Sequence, residues 1–291
     1  MVENGKEDKK PAAVPDGIEY VMPQEIEKRS FSIIEEELQL RGIMLPVEEA
    51  MVTKRVIHTS ADFSYAQTMT YSTGAVETAK WLITEGADIV TDTNMALSGI
   101  NKRVLARYGG SVHCFMADED VAREAKERGV TRATVSMERA AKIEKPVIFA
   151  IGNAPTALIQ LYGMIEEGYR PAFIIGVPVG FVNVEAAKEL ILQTKIPHIV
   201  NRGRKGGSNV AAAICNAILY ELGRRSHALW IYDGKLRRSG GKGGGLYASY
   251  RQRKARDYHH HAKRHPLPCQ DGRDQPHGAF RALCCQKRWR R

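Results

Sequence analysis

The sequence predicts an α/β fold of three layers (α/β/α), in which helices cover both faces of a five-stranded, mainly parallel sheet. Three consecutive units between residues 146 and 222 indicate this fold. Each unit has a short apolar run rich in β-branched residues, then a glycine-bearing turn, then a segment of helical period. Continuous apolar runs are typical of strands buried on both faces, and the repeated strand-turn-helix order is typical of a parallel sheet.

Five apolar runs supply the predicted strands, and helical sequence follows each of them. In chain order they are Asp88–Thr91, Ser111–Phe115, Val147–Ile151, Ala172–Ile175 and His198–Val200. In parallel α/β sheets, ligands bind beyond the carboxyl ends of the strands. The turns that leave these strands are therefore predicted to form the binding edge of the protein.

Helical periodicity predicts the remaining elements. The first helix opens at Pro23 with acidic residues in its first turn, and the second runs from Pro46 to about His58. Proline near a helix start and acids in the first turn suit the unpaired N–H groups and the helix dipole. A polar loop over residues 59–65 follows the second helix. The later helical segments are Ala75–Glu85, Asp118–Arg128, Ala133–Lys145, Ala157–Glu167, Val184–Thr194 and Val210–Leu222.

Composition divides the chain into three parts. Residues 1–17 are highly charged and contain two prolines, which predicts a disordered lead-in. Residues 18–222 hold the periodic segments and form the predicted folded domain. Residues 223–291 have no Glu and no sustained periodicity, and are rich in Arg, His, Gly and Cys, so we predict a disordered or frameshift-derived tail. A basic arm that binds nucleic acid is the alternative for this tail.

Net charge follows the same division. The whole chain carries a formal charge of +10, which by itself would indicate a nucleic acid or a membrane as partner. Residues 1–222, however, hold 25 Lys and Arg against 29 Asp and Glu, whereas residues 223–291 hold 18 against 4. The positive charge therefore belongs to the tail, and we expect neither nucleic acid nor a membrane as partner of the folded domain.

Motifs that would indicate several common functions are absent. No apolar run approaches the roughly 18 residues of a membrane span, and the N-terminus lacks the apolar core of a signal peptide. The cysteines form neither a CxxC pair nor a plausible disulfide framework. The patterns of nucleotide-binding loops, zinc proteases and serine hydrolases are missing too. We expect a cytoplasmic protein with no bound metal and no resident cofactor.

The predicted sheet edge holds most of the candidate binding residues. Asn153 is predicted to cap the helix that follows the third strand, and a helix N-terminus attracts anions. Glycines in the turns allow the backbone to approach a ligand closely. The Gly203–Ser208 turn resembles a phosphate loop only loosely, and a simple tight turn explains it equally well. The candidates at this edge are Asp92, Met95, Asn153, Thr156, Gly176, Arg202, Gly203, Gly206 and Ser208.

A second group of candidates lies on the two N-terminal helices. Arg55 and His58 are three residues apart, so they share one helical face. Histidine transfers protons near neutral pH, and arginine binds carboxylates through two parallel hydrogen bonds. Arg29 and Ser30 interrupt the apolar stripe of the first helix. Each also has an ordinary structural interpretation, namely a surface arginine beside a small residue or a satisfied histidine at a helix end.

Five blocks of the sequence, taken together, carry a resemblance to a known family. They are Lys28–Ile34, Arg55–His58, Gly152–Leu158, Gly176–Val182 and Arg202–Ser208. The third and fourth blocks, GNAPTAL and GVPVGFV, are long and unusual. In this order the blocks closely resemble the precorrin-8X methylmutase family of cobalamin biosynthesis. The resemblance covers residues 18–222 and does not extend into the tail.

The resemblance implies an isomerase that moves a methyl group from C-11 to C-12 of a corrin precursor. The reaction yields hydrogenobyrinic acid from precorrin-8X, or cobyrinic acid from cobalt-precorrin-8, in which the substrate itself carries the cobalt. His58 would transfer the proton, and Ser30 and Arg55 would bind the substrate. The family is flavodoxin-like in fold and homodimeric, with sites at the subunit interface. Residues 22–31 resemble the anaerobic, cobalt-dependent branch.

Two other functions remain open at this point. A tetrapyrrole carrier would bind the same ligand without turnover, so it would not require His58. A phosphate-binding α/β enzyme would use the Gly203–Ser208 turn, and nucleotides or sugar phosphates would stabilise it against heat. Spectral conversion of a bound tetrapyrrole distinguishes a methylmutase from both.

Overall fold

The fold is described by a computed structural model that covers residues 18–19 and 21–236. In these residues the chain forms six strands and 11 helices. The strands are β1 (Met69–Tyr71), β2 (Asp88–Thr91), β3 (Val112–His113), β4 (Val147–Ile151), β5 (Phe173–Gly176) and β6 (His198–Asn201). The helices are α1 (Ile26–Leu40), α2 (Val47–Ser60), α3 (Tyr65–Thr68), α4 (Ala75–Thr84), α5 (Asn94–Gly99), α6 (Lys102–Ala106), α7 (Glu119–Arg128), α8 (Arg132–Ala140), α9 (Pro155–Glu166), α10 (Val184–Leu192) and α11 (Ser208–Leu236).

The strands form one mixed sheet in the order β1-β6-β5-β4-β2-β3. β2 to β6 run parallel, as predicted, and β1 pairs antiparallel with β6. All five predicted strands are present, although β3 is reduced to two residues. The predicted total of five is wrong, because the described part of the chain adds β1 at one edge of the sheet.

The sequence pattern does not reveal β1 because its three residues, Met-Thr-Tyr, show no apolar run, and all three are half-buried. The strand forms through pairing with a segment that is distant in sequence. Met69 lies opposite Asn201, and just before the strand Thr68 O accepts a hydrogen bond of 2.9 Å from Arg202 N. Tyr71 Oη lies 2.8 Å from Thr53 Oγ1, which joins β1 to α2. Strand formation of this kind depends on the neighbours more than on intrinsic propensity.

Alternate residues of the central strands face two separate cores, which confirms the three-layer arrangement. Ile148 and Ala150 of β4 pack in a core shared with α1, α2, α4 and α11. Val147, Phe149 and Ile151 pack in a second core with α8, α9 and α10. All five residues of β4 are buried, and burying one side chain such as Phe149 contributes about 1.5–3 kcal/mol. The sheet is therefore held from both faces.

The C-terminal helix is longer than predicted. Its predicted end was near Leu222, whereas α11 continues to Leu236. Residues 237–291 and 1–17 lie outside the described residues, so the disordered lead-in and the disordered or frameshift-derived tail stay predictions there. Among the helices that the structure describes, none is both long and apolar enough to cross a membrane.

Gly152 marks the closest approach between the loop that leaves β4 and the start of α11. A Cβ atom at this position would lie 2.7 Å from Ser208 Cα and 2.8 Å from Gly207 O. Both of these are backbone atoms, which cannot move aside as the end of a flexible side chain can. The glycine is therefore required by the packing of two elements against each other.

We expect Gly152→Ala to lower the free energy of unfolding by about 1–3 kcal/mol, because the added methyl group overpacks this contact. Gly163→Ala in α9 is the matched control, since a Cβ there meets nothing within 4 Å. That change should raise stability by up to about 1 kcal/mol through the higher helix propensity of alanine. Urea unfolding of both variants measures the difference, and equal midpoints would contradict the proposed close approach.

Candidate active site

Helices α1 and α2 bring three of the predicted site residues together. Glu27, Ser30 and Phe31 are three and four residues apart, so they share one face of α1, and Arg55 of α2 contacts both Glu27 and Phe31. The Phe31 and His58 rings stack with centroids 5.4 Å apart and planes inclined by 13°. The Arg55 guanidinium carbon lies 4.7 Å from the centroid of the same phenyl ring. Phe31 thus orders both the cation and the imidazole, a role that sequence analysis did not assign to it.

Arg55 is unusually enclosed for an arginine, with only 11% of its side chain exposed. Its guanidinium lies near the rings of Phe31 and Tyr220, and its Nη2 donates to Glu27 Oε1. Its Nε is buried and has no acceptor among the described residues. A buried donor without an acceptor costs about 1–3 kcal/mol. Arg55 therefore carries one unsatisfied donor in an enclosed position.

His58 lies in the last turn of α2 and is exposed. Stacking on Phe31 sets the plane of its ring. Within the described part of the chain, no hydrogen bond engages either ring nitrogen, so both are available to a ligand. An accessible imidazole held in a fixed plane is suited to proton transfer.

Ser30 and Arg29 are neighbours in the sequence but differ in their exposure and in their bonding partners. Ser30 Oγ donates to Ile26 O over 2.9 Å within its own helix, and the residue is half-buried. Its hydroxyl oxygen can still accept a hydrogen bond. Arg29 is exposed and pairs with Glu19 at 3.0 Å. Helical spacing therefore places Ser30 on the face of α1 that carries Glu27, the partner of Arg55, whereas the observed partner of Arg29 is Glu19.

Asp92 has a structural task instead of the direct ligand contact that was predicted. It is 0% exposed. Its carboxylate accepts hydrogen bonds from the backbone N–H groups of Gly152, Asn153 and Ala154, at 2.9, 2.8 and 2.6 Å. Burial raises the pKa of Asp92, and these three bonds oppose that effect by favouring the carboxylate. Both oxygens are thus occupied in holding the loop that precedes α9.

The same contacts correct the prediction for the N-terminus of α9. The N-cap residue is Ala154, and no side chain caps the helix, so the Asn153 side chain does not have its predicted role. The N–H groups of the loop before the helix bind the protein's own Asp92 carboxylate. This helix end is therefore already neutralised and is not a vacant anion site.

The other candidates near the sheet edge lie in different surroundings. Ser208 Oγ lies 2.7 Å from Thr93 Oγ1, which joins the start of α11 to the loop after β2. Thr156 Oγ1 accepts from Thr131 at 3.3 Å. Met95 is 69% exposed, and Gly176 is buried at the end of β5. Of these four residues, only Met95 offers a large exposed surface to a ligand.

The turn between β6 and α11, residues 202–207, is held by two buried polar side chains that sequence analysis missed. Lys188 Nζ donates to the carbonyl oxygens of Gly203 and Lys205, at 2.7 and 2.8 Å. Asn201 Nδ2 donates to those of Arg202 and Lys205, at 3.1 and 2.8 Å. We name this segment the glycine-rich turn. It contains the predicted residues Arg202, Gly203 and Gly206.

A salt bridge connects the glycine-rich turn to the end of α2. Lys205 Nζ lies 2.6 Å from Asp62 Oδ2, and Lys205, together with Ser64, lowers the pKa of Asp62 to about 2. Asp62 is four residues beyond His58, and four residues span at most about 14 Å. Asp62 and Ser64 also line an open depression of about 440 Å³. The two groups of candidates are thus neighbours on the surface of one chain.

The fold is that of an α/β protein with a mainly parallel sheet, and its surface presents an accessible histidine near an arginine and a glycine-rich turn. Within the described range, no cluster of three or more His, Cys, Asp or Glu side chains is arranged to hold a metal ion. A family model described as Precorrin-8X methylmutase matches residues 25–221. The chain belongs to this family.

Individual relatives agree with the family match. The chain is 43% identical over 205 residues to the cobalt-precorrin-8 methylmutase of Salmonella typhimurium, covering 69% of this chain and 96% of that protein. It is 35% identical over 208 residues to the precorrin-8X methylmutase of Pseudomonas aeruginosa, covering 70% and 99%. The solved structure of precorrin-8X methylmutase from Thermus thermophilus superposes with a TM-score of 0.61 at 36% identity, covering 67% and 96%.

We expect Asp92→Asn to lower the free energy of unfolding by about 2–4 kcal/mol, because an NH2 donor replaces one of the two carboxylate oxygens and faces at least one of the backbone N–H groups that this oxygen accepts. Asp118→Asn is the matched control, since Asp118 pairs with Arg139 at 3.1 Å and is 41% exposed. That loss should stay within about 1 kcal/mol. Urea unfolding measures both changes in stability. An equally small effect of Asp92→Asn would contradict the structural role of this carboxylate.

Proposed function

We propose that this chain catalyses the reaction of its family, the intramolecular migration of a methyl group from C-11 to C-12 of a corrin precursor in cobalamin biosynthesis. Methylmutases are isomerases, because the methyl group stays within the molecule. Membership of the family over residues 25–221 carries the proposal. The contacts of Phe31 on α1 with both Arg55 and His58 on α2 support it.

His58 is proposed as the proton donor. A proton placed on the conjugated macrocycle makes the ring electron-poor, and this lowers the barrier for a methyl group that migrates with its bonding electron pair. The ring then releases the proton, so the reaction is balanced without an oxidant or a reductant. The accessible ring nitrogens of His58 and its stacking on Phe31 support this role, and general acid catalysis of this kind contributes about 10²–10⁴-fold.

Arg55 and Ser30 are proposed to hold carboxylates at the rim of the substrate. Corrin precursors carry many carboxylates around an apolar ring. Arg55 Nε is a buried donor without an acceptor in the described chain, and the neighbouring rings of Phe31 and Tyr220 restrict the guanidinium. A restricted guanidinium loses little entropy when it binds a carboxylate. These groups would therefore set the orientation of the macrocycle relative to His58.

The cobalt-containing substrate is proposed as the natural one. The relative at 43% identity is named cobalt-precorrin-8 methylmutase, whereas the relative at 35% identity is named precorrin-8X methylmutase. The cobalt belongs to the substrate, and we propose that the protein needs no resident cofactor. Under this proposal the chain converts cobalt-precorrin-8 to cobyrinic acid. We also propose a cytoplasmic location, supported by the two unpaired cysteines of the described residues, Cys114 and Cys215.

We infer that the parallel part of the sheet is flavodoxin-like. If the parallel strands β2 to β6 are renumbered 1 to 5 in chain order, their order across the sheet from β3 to β6 is 2-1-3-4-5. This is the order of the flavodoxin-like class of doubly wound sheets. β1 is an additional antiparallel strand at the edge beside β6.

We further propose that the chain forms a homodimer through α1. Ile26, Ile33 and Leu40 are seven residues apart along this helix and are 52, 40 and 87% exposed. An apolar stripe with this spacing is typical of a helix that packs against another helix. The same helix carries Ser30, so a second copy on this stripe would lie beside the substrate site.

The dimer proposal predicts that Leu40→Glu combined with Ile33→Glu yields monomers, because two charges would be buried in the interface. Light scattering coupled to size-exclusion chromatography measures the mass of the full-length chain. Val130→Glu, at an apolar residue that is 37% exposed between α7 and α8, should leave the mass unchanged. A monomeric parent protein would show that the proposal is incorrect.

The catalytic proposal predicts that His58→Gln lowers the rate of conversion by about 10²-fold or more while substrate still binds. The absorption spectrum of the full chain mixed with cobalt-precorrin-8, and separately with precorrin-8X, measures conversion. His113→Gln is the matched control, since His113 lies in β3, 3.2 Å from Asp88, and should keep full activity. Binding of both ring forms by the parent without conversion would instead indicate a tetrapyrrole carrier.

A further inference from the structure

Lys188 is a lysine enclosed within the protein, with 0% of the residue exposed. It lies on the buried side of α10, where Val184, Ala187 and Ile191 are the other buried residues. A buried ammonium group is costly unless it is paired or fully hydrogen-bonded. In the described structure its side chain forms no salt bridge. Its observed partners are the carbonyl oxygens of Gly203 and Lys205, at 2.7 and 2.8 Å.

These bonds are part of a set that turns four consecutive carbonyl groups of the glycine-rich turn toward the protein. Lys188 binds two of the carbonyls, and Asn201 Nδ2 binds those of Arg202 and Lys205. The carbonyl of Arg204 accepts from Gly180 N at 3.2 Å. The carbonyl groups of residues 202 to 205 are therefore all satisfied by donors of the protein itself.

The direction of the carbonyl groups determines the direction of the N–H groups. The described chain contains no cis peptide bond, and in a trans peptide the C=O and the N–H point in opposite directions. The N–H groups of residues 203 to 206 therefore point away from the interior. None of these four N–H groups donates to an acceptor in the described residues, whereas the flanking Arg202 and Gly207 do donate, to Thr68 O and Val177 O. Successive backbone N–H groups without an internal acceptor are the kind of donor from which anion sites are built.

The charged side chains of the turn are engaged in ion pairs. Arg202 pairs with Glu189 at 3.3 Å, and Arg204 pairs with Glu185 at 2.8 Å. Lys205 pairs with Asp62 at 2.6 Å. Each exposed cation therefore has its own carboxylate on a neighbouring element. The backbone N–H groups remain as donors for a carboxylate from outside.

We propose that Lys188 is a positioning residue of the substrate site: it holds the glycine-rich turn so that the N–H groups of residues 203–206 bind a peripheral carboxylate of the macrocycle. The identity of the ligand rests on the proposed function. The lysine acts through the turn, because its own ammonium group is enclosed. Sequence periodicity could have shown that Lys188 occupies a core position, since Val184 and Ile191 lie four residues before it and three after it.

The charge of Lys188 suits this task because a cation attracts the oxygen ends of peptide groups and repels their N–H ends. Burial lowers the pKa of Lys188 to about 8, so the ammonium form prevails below this pH and is lost above it. The charged groups around it are Glu185 and Glu189 on α10 and the basic side chains of the turn, Arg202, Arg204 and Lys205. Substrate affinity should therefore be full below pH 8 and weaken as the pH rises through it.

The kinetic test compares Lys188→Met with the parent chain in the conversion of cobalt-precorrin-8. KM should rise at least about tenfold while kcat changes by less than about threefold, because the turn contributes binding and not proton transfer. The rise of KM above pH 8 should disappear in the variant. Lys80→Met is the matched control: Lys80 is also buried, but pairs with Glu77 and Glu221, and its loss should not change KM.

A second measurement separates this inference from the proposed reaction. In the full chain labelled with ¹⁵N-glycine, the amide signals of Gly203 and Gly206 should shift downfield when hydrogenobyrinic acid is added, and this shift should be lost in Lys188→Met. Downfield shifts without catalytic conversion would support the carboxylate site in the glycine-rich turn and contradict the proposed methylmutase activity. Lys188→Arg, which keeps the charge and the donors, should retain part of the shift if Lys188→Met does not fold. Unshifted amides in the parent, or an unchanged KM in Lys188→Met, would overturn the inference.

Discussion

The buried carboxylate of Asp92 is the interaction on which the arrangement of the sheet edge depends. It stands at the end of β2 and accepts three N–H groups from the loop of residues 152–154. Gly152 in turn lies against the backbone of Ser208, whose hydroxyl group bonds with Thr93 directly beside Asp92. A buried charge is tolerated only while its hydrogen bonds persist. The loop after β2, the loop after β4 and the start of α11 are therefore fixed as one unit.

The two proposed means of binding carboxylates are connected by the Lys205–Asp62 salt bridge, which joins the glycine-rich turn to the residues after α2. On α2, Arg55 offers a guanidinium restricted by aromatic rings, close to the imidazole of His58. In the glycine-rich turn, backbone N–H groups are oriented by buried Lys188. Both groups are held by contacts within the protein, and a preorganised donor loses little freedom on binding. A large macrocycle with carboxylates around its rim is the kind of ligand that needs donors at several separated points.

The sequence predicted the central strands and placed candidate site residues on helices α1 and α2. It did not predict the role of every candidate residue. Continuous apolar runs identified β2, β4, β5 and β6, because strands covered on both faces have no polar alternation. Helical spacing placed Arg55 and His58 on one face. The sequence predicted a ligand contact for Asp92 and a helix cap for Asn153, and the structure shows neither. A sequence pattern cannot show that the carboxylate of one residue reaches the N–H groups of a loop about 60 residues away.

By itself, the sequence determined the α/β class, the parallel strands, the family resemblance and the identity of the proposed proton donor, all of which depend on local periodicity or on contiguous motifs. Only the tertiary structure decided the existence of β1, the neutralised N-terminus of α9, the enclosure of Arg55 and the inward carbonyl groups held by Lys188. These features are contacts between segments far apart in the chain. Their energies come from burial and from hydrogen-bond partners that exist only once the layers have packed.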